Sequence, residues 1–172
     1  MLFRSLALCS QGDRGVDRSS AANNHGLDYC ALFRHSGEIK HLETAISSFR
    51  DALSIIHHPG RATFLENLSD ALFTRYIQLG QMNDLEGAIE SQRLVLESDE
   101  LRHITRVHAL LDLARSLTIH FKRSGYVEFR TEAISRYLAV LDIEPNSSCA
   151  HTIALGNLGA VMLDGVDRKS VV

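Results

Sequence analysis

Three segments of this chain repeat one another, and a fixed internal period restricts a fold more tightly than composition does. Placed in register they read Leu42-Glu-Thr-Ala-Ile-Ser-Ser-Phe-Arg-Asp-Ala-Leu53, Leu85-Glu-Gly-Ala-Ile-Glu-Ser-Gln-Arg-Leu-Val-Leu96 and Arg130-Thr-Glu-Ala-Ile-Ser-Arg-Tyr-Leu-Ala-Val-Leu141. The Ala-Ile pair returns as Ala45-Ile46, Ala88-Ile89 and Ala133-Ile134, spaced by 43 and then 45 residues. A glycine stands eight positions before each alanine, at Gly37, Gly80 and Gly125. Within the segments, Ala45, Phe49, Ala52 and Leu53 recur at helical spacing, as do Ala88, Gln92, Val95 and Leu96. The pattern predicts pairs of helices. Each glycine ends a first helix in a left-handed conformation, and each alanine lets the second helix approach its neighbour closely.

The first helices repeat as well. Leu68-Ser-Asp-Ala-Leu-Phe-Thr-Arg-Tyr-Ile-Gln-Leu-Gly80 aligns with Leu113-Ala-Arg-Ser-Leu-Thr-Ile-His-Phe-Lys-Arg-Ser-Gly125, and more weakly with Gly26 to Gly37. Only two prolines interrupt the chain. His58-Pro59-Gly60 and Glu144-Pro145-Asn146 are expected to close second helices, because proline resists helix continuation. Aromatic residues make up 6% of the chain and tryptophan is absent, which weighs against a thick sheet sandwich. The expected fold class is therefore all-α, a right-handed superhelical solenoid of antiparallel helix pairs.

The order of large residue, small residue, aromatic, glycine, Ala-Ile, aromatic, Ala-Leu and proline resembles the tetratricopeptide repeat. That family's usual period is 34 residues, and the period here is longer by about nine to eleven. About four of the additional residues lengthen the first helix by roughly one turn, which nearly preserves its apolar face. About three more fall between glycine and alanine, as in Gly80-Gln-Met-Asn-Asp-Leu-Glu-Gly-Ala88. The lengthened variant is similar to repeat arrays of large fungal proteins that carry a caspase-like CHAT peptidase domain. His58-Pro-Gly-Arg61 and Met82-Asn-Asp-Leu85 carry that finer match, over roughly residues 22–145. No Cys and His context stands for the peptidase itself.

The register extends to both ends. Residues 1–9 are expected to be the tail of a preceding repeat helix, with Phe3 placed like Phe49, and residues 10–20 a loop. The array is expected over residues 21–165, as about three repeats plus a half repeat, with a C-terminal tail at 166–172. Ile153 to Leu163 resembles a first helix in two registers, set by Leu155-Gly156 or Leu158-Gly159.

Charge and chemistry narrow the function. The formal charge is −3, with both signs interspersed, so no basic footprint for nucleic acid exists. No apolar stretch approaches the roughly 20 residues that a membrane helix needs. Cys9, Cys30 and Cys149 are odd in number and far apart, which suits free thiols in a reducing, cytoplasmic setting. Nine histidines include His57-His58, and His103 with His108 five apart, but none combines with cysteine or paired carboxylates at ligand spacing. They read as surface or loop residues, and no metal or other cofactor is expected. Cys30 aligns with Phe73 and reads as a packing residue, not a nucleophile. Gly156-Asn-Leu-Gly159 lacks a preceding strand and a phosphate-type lysine, and reads as a close helix contact.

The remaining candidate is the face of the first helices. The resemblance implies a concave binding surface there, formed here by Glu66, Asn67, Asp70, Phe73 and Thr74 in one repeat and His108, Asp112, Arg115 and Ile119 in the next. Some members of the family clamp a terminal carboxylate with Lys, Asn and Arg. This chain keeps Asn67 and Arg115 but sets Asp70 and Asp112 beside them, where each acid would cost a carboxylate about 1 kcal/mol. The expectation is a protein-interaction scaffold for a protein or peptide with basic or mixed polar groups, not an enzyme. The alternative is a truncated or regulatory fragment of a CHAT-type protein without independent activity. Open repeat ends would also permit self-association.

Overall fold

The computed structural model describes the backbone of residues 2–98 and 101–167 and the side chains of residues 18–98 and 101–164. The described residues form seven helices and no strand: α1 (Leu2–Ser36), α2 (Ile39–Ala52), α3 (Arg61–Leu79), α4 (Met82–Leu96), α5 (His103–Ser124), α6 (Val127–Ile143) and α7 (Cys149–Asp167). The chain is all-α, and adjacent helices pack pairwise within each of two compact units, residues 1–84 and 85–172.

In the first unit, α1 packs on α2 and α2 on α3. Leu42, Ala45, Ile46, Phe49 and Ala52 supply the buried stripe of α2, and Phe64, Leu65, Leu68, Ala71, Leu72 and Tyr76 that of α3. Full burial of one such aliphatic or aromatic side chain contributes roughly 1.5–3 kcal/mol. In the second unit α5 packs on α6 and α6 on α7. Val107, Leu110, Ala114, Tyr137, Val140, Ala154, Leu158 and Val161 form one core there. Burial pushes the Tyr137 phenol up, although hydrogen bonds with Thr118 and Asn157 draw it back.

The repeat alignment is matched in three dimensions. Gly37, Gly80 and Gly125 have φ of +71°, +69° and +79°, and each amide donates to the carbonyl four residues back. A side chain in that conformation would be strained, so glycine is the residue that stops these helices cleanly. Ser36 and Ser124, just before two of the glycines, accept hydrogen bonds from the Glu38 and Tyr126 amides and so start α2 and α6. The three seam alanines, Ala45, Ala88 and Ala133, are fully buried.

Four local expectations are corrected. Residues 10–20 are not a loop, since α1 runs through them. That segment holds glycine but no proline, and glycine weakens a helix by about 1 kcal/mol without blocking it. Pro59 does not end α2, which stops at Ala52, whereas α6 does end two residues before Pro145. In the intervening turn the His58 ring folds inward: Nδ1 accepts from the Gly60 amide at 2.8 Å, and the ring lies 4.7 Å from that of Phe64. His58 is thus a loop residue as expected, but a buried one, and His120 is buried on α5 where a surface or loop position was expected. Finally, Gly156 and Gly159 are not a close helix contact, because a Cβ added to either would meet open space. Leu158 is buried while Leu155 is 56% exposed, which decides the register of α7 in favour of Leu158-Gly159. Residues 168–172 of the expected C-terminal tail lie outside the described residues.

Candidate binding surfaces

The nine residues expected on the first-helix face divide between the two units, five on α3 and four on α5, and each group forms its own patch.

On α3, Asp70 is exposed, while Glu66, Asn67, Phe73 and Thr74 are half-buried. Asn67 Nδ2 donates to the buried Asn23 Oδ1 at 2.8 Å, so this residue ties α3 to α1. Phe73 lies against Tyr76, with ring centroids 6.2 Å apart. Asp70 and Thr74 border a small cleft of about 130 Å³ together with Cys30 and Arg34. Burial pushes the Cys30 thiol up; Arg34 opposes this and Asp70 adds to it. A thiol held in its protonated form is a poor nucleophile, so Cys30 acts here as a wall of the cleft.

On α5, His108 and Arg115 are exposed, and Asp112 and Ile119 are half-buried. Asp112 accepts from Arg115 one turn later at 2.9 Å. Burial pushes the Asp112 carboxyl up, against the opposing effects of Arg115 and His108. Of the two acids expected to repel a carboxylate ligand, Asp112 is thus matched by its own helix neighbour, and Asp70 is the more exposed. Among the described residues, no three His, Cys, Asp or Glu side chains converge as metal ligands.

A second region of the second unit escaped the sequence reading. Arg93 of α4 donates to Glu132 of α6 through Nε at 3.2 Å and through Nη2, and Arg136 donates to the same carboxylate at 3.2 Å. Burial pushes Glu132 up, but the two guanidinium groups outweigh it and hold the carboxyl below its ordinary range. Beside this cluster the His120 ring stacks on Phe129 at 3.7 Å and faces Ser124 Oγ and Glu86 Oε1. Tyr126, 64% exposed, completes a cleft of about 400 Å³ with Glu86, Ile89 and Glu90. Alignment of His120 with Arg75 and of Phe129 with Asp84 was the available signal. It marks a place where one repeat exchanges an ion pair for two rings.

No family model matches the chain, and no curated protein matches it. Among the described residues, no helix is long and apolar enough to cross a membrane.

Proposed function

We propose that this chain is a lengthened array of the tetratricopeptide type, built of antiparallel helix pairs, that acts as a cytoplasmic protein-interaction scaffold. The observation that supports this reading is the division of labour on the first helices. Their seam residues, such as Leu68, Leu72, Leu113 and Leu117, are buried, while Asp70, His108 and Arg115 remain at the surface of the same helices. Helices that satisfy their apolar requirement on one side leave the other side to sequence-specific contact without loss of fold. Phe73 and Ile119, half-buried among these polar groups, offer the apolar anchors that protein interfaces use at their centres.

The reading is tested by placing a photo-crosslinking amino acid at Asp70, at Ile119 and, as a control, at Ser47 of α2. A scaffold of this kind yields partners from the first two positions that are missing from the third. Identical recovery at all three positions would remove the first-helix face as the binding surface. Asp70→Lys is the companion variant: it reverses the exposed acid and leaves the Asp112–Arg115 pair intact, so it is expected to change partner recovery with helicity unchanged.

A further inference from the structure

We infer that the cleft among α4, α5 and α6 binds the cationic side chain of a lysine or arginine presented by a partner protein. The inference rests on the proposed scaffold role and names the chemistry of one contact.

The cleft has aromatic walls and an acidic rim. His120 and Phe129 form a stacked pair, and Tyr126 stands beside them with most of its surface exposed. Aromatic faces carry negative potential and attract ammonium and guanidinium groups. Glu86 and Glu90 face the same space from α4, with side chains 58% and 66% exposed, and Ile89 supplies apolar surface for an alkyl stem. Arg93 is the single cation in the lining, and it is turned to Glu132 by two hydrogen bonds. It stands 3.9 Å from Glu90, at the outer limit of an ion pair. The lining therefore carries two carboxylates against one guanidinium that is already engaged elsewhere.

The preceding repeat shows what such a position holds when it is filled from within. Glu43 aligns with Glu86, and Arg75 aligns with His120. In the first unit the Arg75 guanidinium bonds Asp84 and also feels the favourable charge of the Glu43 carboxylate, without a direct ion pair to it. In the second unit the arginine is replaced by His120 and the aspartate by Phe129, and the space beside Glu86 is open. Among the described residues, His120 at 3.5 Å is the group within ion-pair distance of Glu86. A cation supplied from outside takes the role that Arg75 plays inside the first unit, with two rings in place of Asp84.

The test is a nuclear magnetic resonance titration of the full chain at pH 8 with acetylated, amidated pentapeptides Gly-Ala-X-Ala-Gly. X is lysine, arginine or norleucine, the last an alkyl chain without charge. The lysine and arginine peptides are expected to shift the amides of Glu86, Glu90, His120, Tyr126 and Phe129, and the norleucine peptide to bind at least about fivefold more weakly. Glu86→Gln and Glu90→Gln, both at exposed positions, are each expected to weaken the charged peptides by up to about fivefold. Tyr126→Ala should weaken them as well, with the remaining spectrum unchanged. Equal binding of norleucine and lysine, or shifts that avoid the cleft, would overturn the inference. If the cleft is silent while crosslinking at Asp70 and Ile119 still recovers specific partners, this contact alone falls. If the cleft responds and crosslinking recovers none, the scaffold reading fails and a cation site remains.

Discussion

Arg75 clasps Asp84 across the Gly80 turn, with Nε donating to Oδ2 at 2.9 Å and a second bond from Nη2 to Oδ1. Both side chains are largely buried, and they join the end of α3 to the start of α4. One repeat later the same two positions hold His120 and Phe129, stacked 3.7 Å apart. One junction is thus closed by charge and the next by ring contact. The exchange is of two residues at once, as expected where half of a buried ion pair would be costly alone.

Asp84→Ala leaves Arg75 without its main partner in a partly closed site. It is expected to destabilise the chain by about 3 kcal/mol, the cost typical of a broken buried pair. The double replacement Arg75→His with Asp84→Phe, copied from the next repeat, should recover at least half of that loss. Urea unfolding of the parent and the two variants measures both quantities, and a double variant no more stable than Asp84→Ala would show that the two pairs are not equivalent.

Gln92 occupies the repeat position that Phe49 and Tyr137 fill elsewhere. It is 5% exposed, and its Oε1 accepts no hydrogen bond among the described residues. A buried acceptor without a donor costs about 1–3 kcal/mol. Gln92→Met, of similar volume, is expected to stabilise by about 1 kcal/mol, read as a rise of roughly 2–4 °C in Tm. A fall in Tm would show that the amide contributes more to the fold than its unmatched oxygen costs.

Gly26 is buried, and a Cβ there would lie 2.5 Å from the Phe49 ring, which is itself fully enclosed. Gly26→Ala is expected to cost about 1–3 kcal/mol by overpacking. Gly26→Ala combined with Phe49→Leu should show a smaller loss than the two single changes added together. Thermal melts of the four proteins complete the cycle.

Glu132 is held below the ordinary carboxylate range by Arg93 and Arg136. A carboxyl with a depressed folded value contributes stability that is present above its unfolded value of about 4.3 and is lost as pH falls through the folded one. Glu132→Gln should therefore be less stable than the parent at pH 7, with the difference closing below about pH 4. Asp112 has the opposite sign, since burial raises its carboxyl. Its ionisation works against folding as pH rises through the unfolded and then the folded value, so Asp112→Asn should flatten that part of the profile. Melting temperatures across pH 3–8 would separate the two.

The helix pairs, the glycine stops and the alanine seam were legible because each depends on local chemistry that recurs at a fixed interval. Gly37, Gly80 and Gly125 need a left-handed conformation whatever packs around them. Connections were less legible. Residues 10–20 contain glycine and charge, which suit a loop as readily as an exposed helix, and α1 runs through them. Pro59 marks the turn after α2 correctly, but the helix ends earlier, where His58 and Arg61 have built their own contacts: Arg61 Nη1 donates to the Leu53 carbonyl at 3.1 Å.

The candidate surfaces divide along the same line. Sequence alone determined the periodic framework, because burial of an amphipathic stripe requires the apolar spacing that the chain displays. It also placed Asp70, Phe73, Arg115 and Ile119 on first helices. Tertiary structure decided which charges are spent. Asp112 is matched by Arg115, Asn67 is committed to Asn23, and Arg93 is drawn to Glu132 on a different helix. It also decided that His120, an ordinary residue in a repeat alignment, stacks on Phe129 and forms one wall of an acidic cleft. Pairing between side chains depends on distances across helices, and a period along one chain specifies those distances only after the helices have packed.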